Sequence, residues 1–230
     1  MKRIFTIILM VQSLLLAPIA HAQTYWNGTA DKEFSGMGTE ADPYLITTAE
    51  ELAGLAARVN DTTNREDFAG KYFKLTNDLY LTDFTNPDTT KWHEWEPIGK
   101  WTDIPDPNDP YVHKFDTCWF RGNFDGNNHT IHNVYMGTVG EISFGGADDP
   151  TAGDVVDFSG NTNSFFSFVD NASISNLTLN NLGLWAMGKM GGMVSCASNT
   201  KFKNCHVTHS TLIQDTYKPG ALGGLVGEVT

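Results

Sequence analysis

The sequence is short of basic residues: its 230 positions hold 15 lysines and arginines against 27 aspartates and glutamates. The resulting net charge of −12 repels nucleic acid and anionic lipid, whose binding requires clustered Lys and Arg. We therefore expect no nucleic-acid partner. The acidic surface is read first as a solubility feature, and a face that collects cations or basic partners is the alternative.

Signatures of common catalytic sites are also missing. His93-Glu94 is not followed by the second His of H-E-x-x-H, and Gly191-Gly192 is not followed by the Lys-Ser/Thr of a phosphate-binding loop. Ser195 has no His and Asp placed by a motif. We therefore expect a protein that is not an enzyme.

Cysteine is rare, with Cys118, Cys196 and Cys205 as its three positions. Three cysteines in an exported chain cannot all pair internally, and no C-x-x-C spacing occurs. Cys196 and Cys205 are close enough in sequence to bridge neighbouring turns. The alternative is that they are small buried apolar residues, so the disulfide state stays open at this point.

Long apolar runs are limited to residues 4–17. Lys2 and Arg3 precede this run and Ala20-His21-Ala22 follows it, which is the pattern of a secretory signal peptide over residues 1–22. Its removal leaves 13 basic and 27 acidic residues, a net charge of −14. No second apolar span follows, so we predict an exported protein without a membrane span.

Helix-forming stretches are scarce, and one segment stands out. Thr48 and Glu51 have the spacing of a capping box. Apolar residues follow at helical spacing: Leu52, Leu55, Ala56 and Val59. The pattern predicts a helix of about three turns that ends at Asn60 and covers the end of a strand-rich body. It belongs to a lead-in over residues 23–61.

Gly, Asn, Thr and Asp are abundant instead, a balance typical of short strands and turns. The stretch Phe120–Met136 combines apolar, strand-like segments with the turn Asp125-Gly126-Asn127-Asn128. These turn residues tolerate positive φ. Asp125 is therefore predicted to be a turn residue and not a catalytic acid.

The pattern at the end of that stretch returns twice. Residues 131–136 (IHNVYM) are matched by residues 174–179 (ISNLTL) and by residues 202–207 (FKNCHV). One such repeat cannot bury its own apolar side chains, so neighbours must stack and matching positions must form columns. The expected columns are Asn133, Asn176 and Asn204, and beside them Ile131, Ile174 and Phe202.

A second element repeats with nearly the same step. Phe165-Phe166-Ser167 is matched by Gly192–Ser195 and then by Gly224–Gly227, at steps of 28 and 32 residues. Residues 137–162 are an insertion, expected to form a loop on one face. The predicted fold is all-β, a parallel β-solenoid over residues 62–230 whose last repeat is incomplete.

The run Gly223, Gly224, Leu225, Val226 and Gly227 resembles the GLUG motif of bacterial secreted and surface proteins. The segments 42–46, 95–99 and 120–126 resemble the usual lead-in of this family, which occurs in the non-catalytic N-terminal region of immunoglobulin A1-type metallopeptidases. The resemblance implies a right-handed parallel β-helix, a surface or secreted location and no catalytic residues.

The sequence departs from that motif in two places. Ser-Phe-Phe-Ser at residues 164–167 and Ser195 stand where glycines are usual. The last repeat breaks off at Thr230 before its Ile/Leu-x-Asn element. We therefore expect the chain to be part of a longer protein.

Two loops carry oxygen ligands suited to a hard cation. Residues between Lys100 and Thr117 are rich in Pro, which removes ladder donors, so they are expected to form a loop outside the sheet. Asp103, Asp106 and Asp109 in this loop form a candidate calcium site, and Asp148–Asp157 is a second one. A metal pair of His129 and His132 is disfavoured because their spacing does not align them on a strand.

The tryptophans are candidates for stacking on sugar rings. Trp92, Trp95 and Trp101 are the predicted platform, with Trp119 as a further candidate. Burial of these rings in the core is the alternative.

The sequence as a whole predicts an exported, non-catalytic module for adhesion, for binding protein or glycan ligands, or for spacing. One alternative is a carbohydrate-active β-helix enzyme, whose signature would be two carboxylates on one face of the stack. The other is the N-terminal part of a larger surface peptidase.

Overall fold

The computed structural model describes residues 23–106, 109–136, 163–186, 189–214 and 221–230. The predicted signal peptide, the insertion at 137–162 and the candidate calcium loop Asp148–Asp157 lie outside these residues. Within the lead-in, Tyr44–Ile46 pairs in parallel with residues 73–75, so the first sheet already begins there.

The described residues consist mainly of short strands with one α-helix. In chain order the elements are β1 Tyr44–Ile46, α1 Ala49–Val59, β2 Tyr72–Leu75, β3 Leu79–Tyr80, a 3₁₀ turn Thr89–Lys91, β4 Lys100–Asp106, β5 Asp109–Cys118, β6 Asn123–Asp125, β7 Thr130–His132, β8 Tyr135–Met136, β9 Phe166–Asp170, β10 Ser173–Ser175, β11 Thr178–Asn180, β12 Gly183–Ala186, β13 Met190–Gly191, β14 Val194–Ser198, β15 Lys201–Lys203, β16 His206–Thr208, β17 Thr211–Gln214, β18 Leu222–Gly223 and β19 Val226–Val229.

Helix α1 is the helix that the sequence predicts. Thr48 Oγ1 accepts the N–H of Glu51 at 3.2 Å, and Glu51 Oε2 accepts the N–H of Thr48 at 3.1 Å, so the capping box is closed. Leu52, Leu55 and Val59 are fully buried in the core that the strands form. Asn60 is the C-cap.

Apart from the pairs β1–β2 and β4–β5, consecutive strands of the chain lie in different sheets, and each later pass of the chain adds strands in parallel to the same sheets. Among the described strands the orders are β1-β2-β6-β10-β15, β3-β7-β11-β16, β8-β12-β17, β9-β14-β19 and β13-β18. The structure is therefore mostly strand, with parallel sheets and a single described helix. The register Phe166, Val194 and Val226 confirms the repeat steps of 28 and 32 residues.

The core lies between these sheets and is filled by columns of apolar residues from neighbouring strands. Phe73, Phe124 and Ile174 are adjacent in the five-stranded sheet and are at most 1% exposed. Such columns bury side chains that a single pass of the chain would leave in water. Phe202, the last member of this column, is half-buried.

The predicted apolar column is wrong at its first member. Ile174 pairs with Phe202 as expected, but its partner on the other side is Phe124. Ile131 belongs to the neighbouring sheet, where it pairs with Leu179. The predicted match of residues 131–136 to residues 174–179 is therefore shifted by one strand along the chain.

The predicted asparagine column changes in the same way. Asn204 Nδ2 donates to Asn176 Oδ1 at 3.0 Å, so these two residues are stacked neighbours. Asn133 lies at the next corner, where its Oδ1 accepts from Asn181 Nδ2 at 2.8 Å. His209 follows Asn181 at that corner and shares its left-handed backbone.

Left-handed residues recur every five positions and turn the chain from one sheet into the next. Their φ angles lie between 46° and 59°, and the residues are Asn171, Asn176, Asn181, Asn199, Asn204 and His209. Asn adopts this conformation more readily than most residues because its short amide bonds to nearby backbone. Three-residue strands therefore alternate with two-residue corners through the two later passes.

A substitution at Asn176 tests the role of these corners. Asn176→Ala is expected to lower the free energy of unfolding by about 1–3 kcal/mol, because Ala is strained at a φ of 51° and the amide bonds to Asp125 and Asn204 are lost. Asn176→Gly relieves the strain and loses only the amide bonds, so its loss should be about half as large. Urea unfolding followed by circular dichroism measures the free energy of unfolding of both variants. Equal losses of stability would contradict the claim that position 176 requires a left-handed backbone.

The segment predicted as an irregular Pro-rich loop is a β-hairpin. Strands β4 and β5 pair antiparallel and form a sheet of their own, separate from the parallel ones. Pro105 is tolerated because the register shifts between Pro105 and Asp106, and because each strand of a two-stranded ribbon has one unpaired edge. The segment does leave the parallel sheets, as expected, but as paired strands.

Candidate functional site

The end of the hairpin presents alternating residues to opposite sides. Cys118 and Phe120 are fully buried, whereas Thr117, Trp119 and Arg121 lie on the outer side. Successive side chains of an extended chain point to opposite faces, so the three outer residues share one face. They form one wall of a groove.

The opposite wall is the connection from Arg65 to Lys71. Within it Phe68 has a φ of 57°, which is unusual for a bulky residue, yet it is 5% exposed. The Phe68 ring packs edge-to-face on Phe73 at 4.9 Å, and the Arg58 guanidinium lies 4.9 Å from its centroid. This packing fixes the backbone that carries Arg65, Asp67 and Lys71.

Ion pairs join the two walls. Arg121 donates from Nε to Asp170 and from Nη1 to Asp67, both at 2.9 Å. Arg65 donates from Nη2 to Asp116 at 2.7 Å and from Nη1 to the Thr117 carbonyl at 3.3 Å. Each guanidinium is thereby held in one orientation, and the Nε of Arg65 is buried without a hydrogen-bond partner among the described residues.

These pairs shift the pKa values of the carboxylates. Burial alone would raise the pKa of Asp67, but the hydrogen bond from the Ala69 N–H and the pair with Arg121 outweigh it and hold the pKa below its usual 3.8. The hydrogen bond from Arg65 lowers the pKa of Asp116. Both carboxylates therefore stabilise the groove fully above about pH 3.8, and that contribution is lost as the pH falls through their lower folded-state pKa values.

The groove between the walls has a volume of about 530 Å³, within the range of small-ligand sites. Its lining combines cations and carboxylates with an aromatic ring: Arg65, Glu66, Asp67, Phe68, Ala69, Lys71, Thr117, Trp119 and Arg121. Trp119 is half-buried and is supported edge-to-face by Phe168 at 5.4 Å. We call this site the Arg65–Arg121 groove. It can hold a ligand by charge-assisted hydrogen bonds and by ring contact.

The predicted tryptophan platform is separated by the fold. Trp95 is 2% exposed and stacks on Phe165 inside the core, so it is not a surface platform. Trp92 is half-buried in an aromatic cluster with Phe84 and Tyr135. Trp101 pairs with Thr117 across the hairpin, which places it beside the Arg65–Arg121 groove.

The candidate calcium residues lie on the hairpin. Asp106 and Asp109 are paired at its tip, and Asp103 pairs with Phe115 further along. Within the part of the chain that the structure describes, no group of three or more His, Cys, Asp or Glu side chains is placed to hold a metal ion. Calcium at this hairpin stays a prediction.

Other polar residues that were candidates for chemistry have structural partners. His129 Nδ1 lies 3.0 Å from Asp78 Oδ1, and His132 stacks on Tyr80 at 4.4 Å, so the two histidines have different surroundings. Asp125 is the last residue of β6, and its Oδ1 accepts the Asn127 N–H at 2.9 Å in the turn that follows. Ser195 is fully buried and donates to Ser164 at 2.7 Å.

The glycine motif lies at a tight connection between paired strands. Gly223 pairs with Gly191, and the Leu225 carbonyl accepts the N–H of Met193 at 3.0 Å from the preceding pass. Gly224 likewise accepts from Gly192 at 3.2 Å. A Cβ at Gly227 would lie 2.6 Å from the Met190 carbonyl oxygen. These contacts give the motif a structural role in stacking the passes.

All three cysteines are free thiols. Cys118 is fully buried, and burial raises the pKa of Cys196 to about 11. Burial also raises the pKa of the half-buried Cys205. Since the thiolate is the reactive form, these cysteines behave as small apolar residues.

Arg65, Lys71 and Arg121 were not predicted from the sequence as site residues, whereas Trp119 was a further candidate for stacking on sugar rings. Their signal is the alternation of residues 117–121, where polar and aromatic positions interleave with Cys118 and Phe120. That alternation identifies an exposed face but not its partner wall, since Asp67 and Arg121 are 54 residues apart.

No known protein family, characterised protein or solved structure matches this chain. Among the described residues, no helix has the length and the apolar character needed to cross a membrane. The fold and the groove therefore carry the functional argument.

Proposed function

We propose that the chain is an exported, non-catalytic ligand-binding module built as a right-handed parallel β-helix, with α1 at its N-terminal end. The observation that supports this proposal is the Arg65–Arg121 groove, which lies beside the parallel strands. Ion pairs hold its side chains in place before a ligand binds. A rigid site loses little conformational freedom when a ligand binds, which favours recognition.

The sequence supports the proposed location of the protein and the proposed class of partners. The signal peptide supports export, and the resemblance to GLUG-motif proteins supports a cell-surface or extracellular place. We propose glycans or surface proteins as ligands, so that the module contributes to adhesion or spaces other domains. Its acidic net charge argues against nucleic acid.

The chemistry of the groove favours binding over hydrolysis. A glycosidase needs a carboxyl group with a raised pKa as general acid and a second carboxylate opposite it. Asp67 instead has a lowered pKa and pairs with Arg121, and Glu66 pairs with Arg58 at 2.7 Å. A carbohydrate-active enzyme is therefore the second candidate, supported only by the fold type.

One experiment separates these functions. The purified protein is applied to a glycan array and to a panel of extracellular matrix proteins, and reducing ends are assayed in parallel. We expect saturable binding without release of reducing ends. Release from any glycan would establish the enzyme instead, and no binding to either panel would overturn the proposed binding function.

A further inference from the structure

We propose that the Arg65–Arg121 groove binds an acidic glycan, a chain that contains hexuronic acid units. This inference rests on the proposed binding function and specifies its ligand class. The uronate carboxylate would bond to the cations of the groove, and the apolar face of a sugar ring would lie against Trp119.

Cationic side chains are more frequent in the groove than in the chain as a whole. Three of its nine lining residues are cations, whereas 15 of the 230 residues of the chain are Lys or Arg. Two of the nine, Glu66 and Asp67, are acids, and Asp116 and Asp170 pair with Arg65 and Arg121 from outside the lining. The charges of the two arginines are thereby compensated, so the attraction of the groove for an anionic group depends on Lys71.

The two arginines supply orientation rather than free charge. Asp67 and Asp170 hold Arg121, and Asp116 holds Arg65, so each guanidinium plane is set before a ligand arrives. A planar guanidinium with further N–H groups matches the geometry of a carboxylate. These paired arginines favour a ligand that needs directed hydrogen bonds.

Lys71 supplies the uncompensated charge. It forms none of the ion pairs found among the described residues, and its Nζ lies 5.9 Å from the centroid of the Tyr44 ring. A lysine ammonium is a compact charge on a flexible stem, so it can follow a carboxylate within the groove.

Trp119 favours a sugar over a small inorganic anion. Its ring is half-buried and fixed by Phe168, and it provides an apolar surface beside the polar groups of Thr117 and Arg121. Aromatic residues of this kind have an apolar body and a polar tip, which suits a ligand with an apolar ring face and polar edges. Inorganic phosphate or sulfate would leave this surface unused.

The test is isothermal titration calorimetry with an oligogalacturonate, compared with a neutral oligogalactan of the same length. We expect binding of the oligogalacturonate that weakens as salt is added, and no measurable binding of the oligogalactan. Equal binding of both glycans would overturn the proposal, and so would stronger binding of a phosphorylated peptide.

Substitutions of residues that line the groove test whether the ligand binds there. Lys71→Gln is expected to weaken binding about tenfold, in line with loss of one charge-assisted hydrogen bond, and Trp119→Ala should weaken it by at least as much. The matched control is Lys201→Gln, which removes the same charge from an exposed position on β15 and should leave affinity unchanged. Thermal unfolding of each variant checks that its fold is intact.

The outcomes distinguish this site from the broader function. Equal weakening by Lys71→Gln and Lys201→Gln would indicate charge attraction without a site and overturn the proposal. Binding of another ligand from the arrays that is unaffected by Trp119→Ala would leave the binding function standing and remove this assignment. No binding of any ligand would overturn both.

Discussion

Trp95→Ala should lower the free energy of unfolding by about 3–5 kcal/mol, the cost of truncating a buried aromatic residue. Trp95 is 2% exposed and lies parallel to Phe165 with 5.1 Å between ring centroids. Its Nε1 also donates to the Phe165 carbonyl at 3.3 Å. The substitution removes this stacking and hydrogen bond and leaves a cavity. Guanidinium unfolding followed by circular dichroism measures the loss.

Trp185→Ala is the matched control, because this tryptophan is 36% exposed on β12. Trp185→Ala should lower the free energy of unfolding by less than about 1 kcal/mol. If Trp95→Ala instead left stability unchanged and abolished glycan binding, Trp95 would be a ligand platform and its burial would be refuted.

Gly191→Ala should lower the free energy of unfolding by about 2–4 kcal/mol, because the added methyl group meets backbone that cannot move alone. Its Cβ would lie 2.1 Å from the Val194 carbonyl oxygen and 2.6 Å from the Gly227 nitrogen. Gly227 belongs to the next pass of the chain, so the clash would separate stacked strands. Urea unfolding at equilibrium measures the loss.

Gly183→Ala is the control for Gly191→Ala. A Cβ at Gly183 would have nothing within 4 Å, and this glycine does not have a positive φ. Its substitution should be neutral or slightly stabilising, since Ala restricts the unfolded chain. Equal losses of stability for Gly191→Ala and Gly183→Ala would show that close packing of the stacked strands does not explain the glycine at position 191.

The elements that local chemistry determines were predictable. Helix α1 follows from a capping box and an apolar face, both of which lie within twelve residues of sequence. The steps of 28 and 32 residues between Phe166, Val194 and Val226 also follow, because later passes have nearly equal lengths. Short-range patterns of this kind survive into the structure when tertiary contacts agree with them.

The choice between neighbouring corners was not predictable. Asn133-Val134 and Asn176-Leu177 have the same local chemistry, a left-handed Asn followed by a buried apolar residue. Sequence similarity therefore matches them although they lie at different corners. Only the strand register, with Ile131 beside Leu179, separates them.

By itself the sequence determined the strand-rich character, the single described α-helix, the turn that follows Asp125 and the repeat of the later passes. Tertiary structure alone decided that Trp95 is buried, that residues 100–118 include a hairpin, and that Arg65, Lys71, Trp119 and Arg121 share a groove. The physical reason is the range of the interactions. Caps and turns are satisfied within a few residues, whereas burial and the Asp67–Arg121 ion pair depend on segments that only stacking of the strands brings together.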